Sequence, residues 1–182
     1  CGMPPDDPLK FSDSKPYKDR ISVARKKTGQ RDAMVIAKGK IQNIDVTVGA
    51  QNFSFIGGAV GIASGEIFIQ AVDHAIKNKT PLIFFSSSGG QKLQESGLAL
   101  AMMAKTTLGV NELKKNNLPF GIITFEPVPV MFFNSKIKNH RINSLEQKKN
   151  QLKKLKIDFL IILNFNNNFC LLTAEEFINK VI

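Results

Sequence analysis

The 182-residue chain carries 25 Lys+Arg against 15 Asp+Glu, a formal net charge of +10, with 43% hydrophobic and 22% charged residues. That length suits one ordinary domain with its own core, and the longest apolar runs (81–85, 128–133 and 159–163) are too short to cross a bilayer. The positive charge sits on scattered lysines such as Lys10, Lys38, Lys77 and Lys180 that nowhere alternate with aromatics, which argues for a solvated surface and against a specific nucleic-acid platform. Cys1 and Cys170 are too few for a four-cysteine zinc site or a disulfide framework, so no zinc, no membrane association and a reducing, cytoplasmic setting are expected.

In chain order, residues 1–12 form a proline-rich, turn-like leading arm; with no initiator Met, Cys1 reads as a broken end. Ser14 and Pro16 ahead of Tyr17, Ile21 and Ala24 predict an N-capped helix that closes at Gly29, with Arg25, Lys26 and Lys27 either complementing its dipole or meeting a phosphate. The β-branched runs 33–37 and 44–49 predict an antiparallel hairpin, with a third strand over 51–55. Gly57-Gly58 then leads into a helix whose apolar stripe is Val60, Ala63, Ile67, Ala71, Val72, Ala75 and Ile76.

A second strand-Gly-Gly-helix unit follows directly. The continuous apolar run Leu82 to Phe85 suits a strand buried on both faces. Ser88, Gly89 and Gly90 turn the backbone into a helix predicted to reach Lys115, with Leu93, Leu98, Ala101, Met102 and Leu108 inward. The Gly-Gly amides are thereby expected at or just before a helix N-terminus, aimed at developing negative charge. Asn116-Asn-Leu-Pro119 breaks that helix, and a strand over 120–125 ends at Glu126-Pro127. Beyond it glycine vanishes and asparagine becomes frequent. A helix over 145–156 with Leu145, Leu152 and Leu155 inward, a strand over 159–163 and a terminal helix opened by the capping box at Thr173 and Glu176 complete the reading. The lysines of 148–156 are expected on a solvated face, and Ile182 reads as a second broken end.

Four segments, Asp7-Pro-Leu-Lys-Phe-Ser-Asp-Ser-Lys-Pro-Tyr-Lys-Asp-Arg20, Lys26-Lys-Thr-Gly-Gln-Arg-Asp-Ala33, Phe53-Ser-Phe-Ile-Gly-Gly58 and Phe85-Ser-Ser-Ser-Gly-Gly90, resemble the β subunit of bacterial acetyl-CoA carboxylase carboxyltransferase from about Asp6 to Pro119. The resemblance implies a crotonase-like (ClpP/crotonase) fold, acetyl-CoA and carboxybiotin as substrates, and an α subunit and a biotin carboxyl carrier protein as partners. It implies that Gly89 and Gly90 form an oxyanion hole for the thioester enolate, with Gly57, Gly58, Ser88 and Lys92 on the substrate side. Lys92 departs from the family's usual arginine, and Gly57-Gly58 either shapes the CoA cleft or permits close helix packing.

From about Leu118 the chain resembles a second family, the adenylyltransferase domain of bacterial bifunctional riboflavin kinase/FAD synthetase, through Thr124-Phe-Glu-Pro-Val-Pro129, Phe133, Arg141-Ile142, Asp158-Phe159 and Leu172-Thr-Ala-Glu-Glu-Phe-Ile178. This resemblance implies that Pro127, Pro129 and Phe133 line a flavin pocket, with FMN and ATP as ligands. The family's ATP-phosphate motif is absent, and neither His74 nor His140 has the surroundings to replace it. The expected architecture is therefore α/β in two parts: a partial crotonase-like β-β-α layer over 1–118, then a partial Rossmann-like nucleotidyltransferase segment over 119–182. The join at Asn-Leu-Pro makes the chain a chimera. Carboxyl transfer that needs an α subunit, a flavin-binding fragment and an inactive fusion product are the three readings it leaves.

Overall fold

The computed structural model describes residues 6–134 and 142–182. Cys1, the leading arm before Asp6, His140 and Arg141 lie outside the described residues. The chain divides into two units, Cys1–Asn116 and Asn117–Ile182.

In the first unit α1 (Tyr17–Thr28) follows Pro16, whose fixed φ of −57° sets the chain up for helix, and no side chain caps it. Ser14, expected as the cap, instead lies by Arg20, whose Nη2 donates to its hydroxyl at 3.2 Å. Gly29 closes the helix in the left-handed region at φ 70°, as its sequence position predicts. Tyr17, Ile21 and Ala24 share one face and, with Ala33 and Phe55, make a buried core cluster.

Strands β1 (Met34–Ile41) and β2 (Ile44–Gln51) pair antiparallel, Ile41 opposite Ile44. Gln42 and Asn43 make the two-residue turn, both with positive φ, which matches the twist of the flanking strands. The predicted third strand over 51–55 does not form. Asn52 accepts the Ser54 amide on its side chain at 2.9 Å and the Phe55 amide on its carbonyl at 3.0 Å, so a side-chain turn takes the place of a ladder. Helix α2 (Ile62–Asn78) then crosses over to β3 (Leu82–Phe85), which runs parallel to β2 with Thr47 opposite Leu82. The sheet order is β1-β2-β3. Strand β3 is half-buried, with Phe85 40% exposed, rather than covered on both faces as expected.

Helix α3 (Ser96–Lys115) packs on α2. Its buried positions are Ala99, Gly109 and Leu113, and Leu93, Leu98 and Leu108 of the predicted stripe are exposed. The reason lies across the interface: small residues set how closely two helices approach, and Gly65 of α2 lies directly under Met102.

In the second unit β4 (Gly121–Glu126) and β5 (Phe159–Asn164) pair parallel, in register from Gly121 opposite Phe159 to Glu126 opposite Asn164. Around them stand α4 (Pro129–Phe133), α5 (Leu145–Lys154), α6 (Asn167–Cys170) and α7 (Ala174–Val181). Capping boxes open α5 at Ser144 and Gln147 and α7 at Thr173 and Glu176. Leu155, expected inward, lies past the end of α5 and is 68% exposed. Lys148 departs from its solvated expectation: its ammonium donates to the buried Thr124 hydroxyl at 2.6 Å.

Candidate active site

The two Gly-Gly turns of the first unit lie against each other. The Gly89 amide donates to the Gly57 carbonyl at 2.8 Å, and the Val60 amide donates to the Gly90 carbonyl at 2.8 Å. The Lys92 amide returns to the Val60 carbonyl at 2.9 Å, so residues 90–92 and Val60 run as a short parallel bridge. Gln51, at the end of β2, holds both turns. Its Nε2 donates to the Gly58 carbonyl at 3.2 Å, while its Oε1 accepts from the Ser86 hydroxyl at 3.1 Å and the Ser87 amide at 3.3 Å.

Three of these glycines, Gly57, Gly58 and Gly90, hold a positive φ that favours glycine. Gly58 sits at φ +65°, and a Cβ on it would run into the Ser87 carbonyl. Gly90 sits at φ +128° with open space where a Cβ would point, so the constraint there is the backbone itself. Ile56 shares the left-handed region at φ 48°, a costly place for a β-branched residue and a mark of a turn held by its surroundings.

Ser88, Gly89 and Gly90 are all exposed. The Gly89 amide is committed to Gly57, whereas the Gly90 amide donates to the hydroxyl of Ser88 at 3.1 Å, and that hydroxyl donates in turn to the Gly90 carbonyl at 3.1 Å. The helix dipole is further away than the sequence implies: a 3₁₀ turn at Leu93–Glu95 intervenes, and α3 opens only at Ser96. Lys92 points inward, 3% exposed, with Nζ 2.5 Å from Asp32 Oδ2 and 3.8 Å from Glu95 Oε1. Tyr17 donates to Glu95 Oε1 at 2.7 Å, and burial, then the Glu95 carboxylate, push loss of the phenolic proton far above its ordinary range.

The sequence singles out Gly57, Gly58, Ser88, Gly89, Gly90 and Lys92; the first five lie together in the two turns, while the Lys92 side chain, expected on the substrate side, is buried behind them against Asp32. Sequence reasoning missed Gln51, Asp32, Ser64 and Glu95. A lone polar residue in a β-rich or helical run carries no signal of its own. The clue available was that Ser64 falls on the buried face of α2, beside Gly65.

In the second unit Pro127 follows β4 and Pro129 opens α4, on either side of Val128, and both are half-buried. Phe133, 68% exposed, stands edge-on to Phe132 at 5.2 Å and to Phe165 at 5.8 Å between centroids. Phe125 and Phe169 also pack on Phe165, so an aromatic cluster backs this short helix.

The first unit is a three-stranded sheet with the packed helices α2 and α3, its β2-α2-β3 crossover and Gly-Gly turns gathered at one sheet end, which is an α/β layer of the crotonase-like class. A Pseudomonas malonate decarboxylase MdcD–MdcE hetero-dimer shares this fold, with a TM-score of 0.50 and 20% identity over 72% of this chain and 70% of that one. The family model for the carboxyl transferase domain matches residues 9–120, and the chain belongs to that family. A second model, for FAD synthetase, matches residues 106–182, so the two meet over 106–120. The acetyl-coenzyme A carboxylase carboxyl transferase subunit beta of Pelagibacter ubique is 46% identical over 125 residues, 69% of this chain. The protein of the same name from Caulobacter vibrioides is 49% identical over 122 residues, 67% of this chain. The chain spans 40% of the length of each of these curated relatives. Among the described residues no helix is long and apolar enough to cross a membrane.

Proposed function

We propose that residues 1–118 are a carboxyltransferase β-subunit segment that stabilises the enolate of acetyl-CoA while a carboxyl group passes to it from carboxybiotin, giving malonyl-CoA. An α subunit completes the site, and a biotin carboxyl carrier protein delivers the biotin. The observation that carries the reading is the exposed residue Gly90, whose amide is bonded only to the neighbouring Ser88 hydroxyl and not to another part of the fold. A donor aimed where negative charge develops stabilises the transition state more than the ground state, and losing one typically costs about 2.7–4 kcal/mol. Gly90 is the donor in this reading. Gly89 braces the turn through Gly57, Gly57 and Gly58 shape the face toward CoA, and Lys92 acts from behind the turn.

The test is malonyl-CoA formation from acetyl-CoA and carboxybiotin with an α subunit added. The chain alone is expected to give no turnover, and the completed enzyme is expected to lose about 10²–10³-fold in kcat on Gly90→Val. Activity untouched by that substitution refutes the donor assignment.

For residues 119–182 the FAD synthetase match and the exposed Phe133 on its aromatic cluster favour a flavin-binding segment, with FMN against Pro127, Pro129 and Phe133 and ATP as the second ligand. Titration with FMN, followed by flavin fluorescence, is expected to show quenching that weakens in Phe133→Ala; no binding at millimolar FMN eliminates this reading.

A further inference from the structure

We propose that a buried polar set, Tyr17, Asp32, Ser64, Lys92 and Glu95, fixes the place of the Gly89-Gly90 turn, with Lys92 its positioning residue. The proposal rests on the oxyanion reading of that turn. The five side chains come from four separate parts of the first unit, Lys92 and Glu95 sharing one turn, and none is more than 4% exposed.

The contacts form a connected path. The Lys92 ammonium lies 2.5 Å from Asp32 Oδ2 and 5.7 Å over the Phe55 ring. Asp32 Oδ1 accepts from the Ser64 hydroxyl at 2.5 Å and from the Met34 amide at 3.2 Å. Glu95 accepts from Tyr17 on one oxygen at 2.7 Å and from the Ile62 amide, the first of α2, on the other at 2.6 Å. A Cβ on Gly61 would strike that same carboxylate and lie 2.6 Å from Lys92 Cδ, so the first turn is packed directly on the set.

Lys92 is where this set joins the turn. Its own amide bonds Val60, and the Val60 amide bonds the Gly90 carbonyl, the peptide two residues upstream. An ammonium between two carboxylates, stripped of water, is a poor device for stability, because apolar residues of the same shape often serve as well or better. What it supplies is direction: each donor and acceptor is satisfied in one arrangement only. An oxyanion donor needs such placement, since a shift of about 1 Å can cost about 10²-fold in rate.

The experiment compares the full chain with Lys92→Met, Asp32→Asn and Lys92→Arg by amide hydrogen exchange, and by carboxyl transfer with an α subunit supplied. Lys92→Met and Asp32→Asn are expected to speed exchange at Val60, Gly89 and Gly90 by about tenfold or more, with the far end of the hairpin at Lys40 and Asp45 unchanged. They are also expected to lower kcat by about 10–100-fold with KM for acetyl-CoA held within about twofold, and Lys92→Arg is expected to recover most of both. Exchange that rises uniformly across the unit, or that leaves the glycines unmoved, overturns the proposal. Should the unaltered chain transfer no carboxyl group even with an α subunit, the functional reading fails, and the exchange pattern still decides the positioning claim.

Discussion

Gly58 and Gly90 were both visible in the sequence as members of Gly-Gly pairs, but the pair alone does not say which glycine is needed or why. At Gly58 the left-handed backbone and the Ser87 carbonyl act together, so Gly58→Ala is expected to destabilise the first unit by about 1–3 kcal/mol in denaturant unfolding. Gly57→Ala has open space and only the backbone penalty, and should cost less. Arg25 shows the opposite case, a residue whose sequence context left two roles open. Its guanidinium grips Asp6 with two bonds of 2.6 Å, which occupies the group that was otherwise free to meet a phosphate. The hydrogen bond from Arg25 holds the Asp6 carboxyl below its ordinary value of 3.8. A carboxyl whose pKa is lowered by folding contributes stability at pH values above its unfolded value, and that contribution is lost as pH falls through the lowered one. The stability difference between wild type and Arg25→Gln is therefore expected to be present at neutral pH, below about 1 kcal/mol because the pair is solvent-screened, and to vanish in strong acid. A difference that grows on acidification contradicts this.

At the scale of elements, the strands and helices were largely legible because period and punctuation agree there: Gly29 ends α1, Asn43 turns the hairpin, and Thr173 and Glu176 open α7. What was not legible is which face each helix buries. Leu93 and Leu108 are larger and more apolar than Ala99 and Gly109, and yet the small residues are inside, because α2 presents Gly65 and approaches closely. Gly109→Leu should for that reason disrupt the α2–α3 packing by about 1–3 kcal/mol, where Leu108→Ala, on the exposed side, should change stability by less than about 0.5 kcal/mol. The capping box of α7 gives an independent check on the second unit. Thr173→Ala removes the hydroxyl that accepts the Glu176 amide and is expected to cost that helix about 1 kcal/mol, read as faster amide exchange in its first turn.

For the molecule as a whole, the sequence marked the two Gly-Gly turns but not how their groups are bonded. The resemblance gives Gly89 and Gly90 one shared role, whereas in the structure the Gly89 amide is spent on Gly57, and Lys92 faces inward to Asp32, a residue with no sequence signal to single it out. Burial differs sharply between the two units: among the described residues every apolar side chain in the fully buried class belongs to the first, while Thr124 is the buried residue of the second. Because apolar burial is the main favourable term in folding, calorimetry is expected to show two transitions, the second unit melting at the lower temperature; a single cooperative transition contradicts independent units. The central claim, that the Gly90 amide serves a thioester enolate, is tested most directly by malonyl-CoA synthesis with an added α subunit. Wild type is expected to turn over and Gly90→Val, which keeps the residue-90 N–H but cannot hold it at φ +128°, to fall by about 10²–10³-fold; equal rates for the two would contradict it.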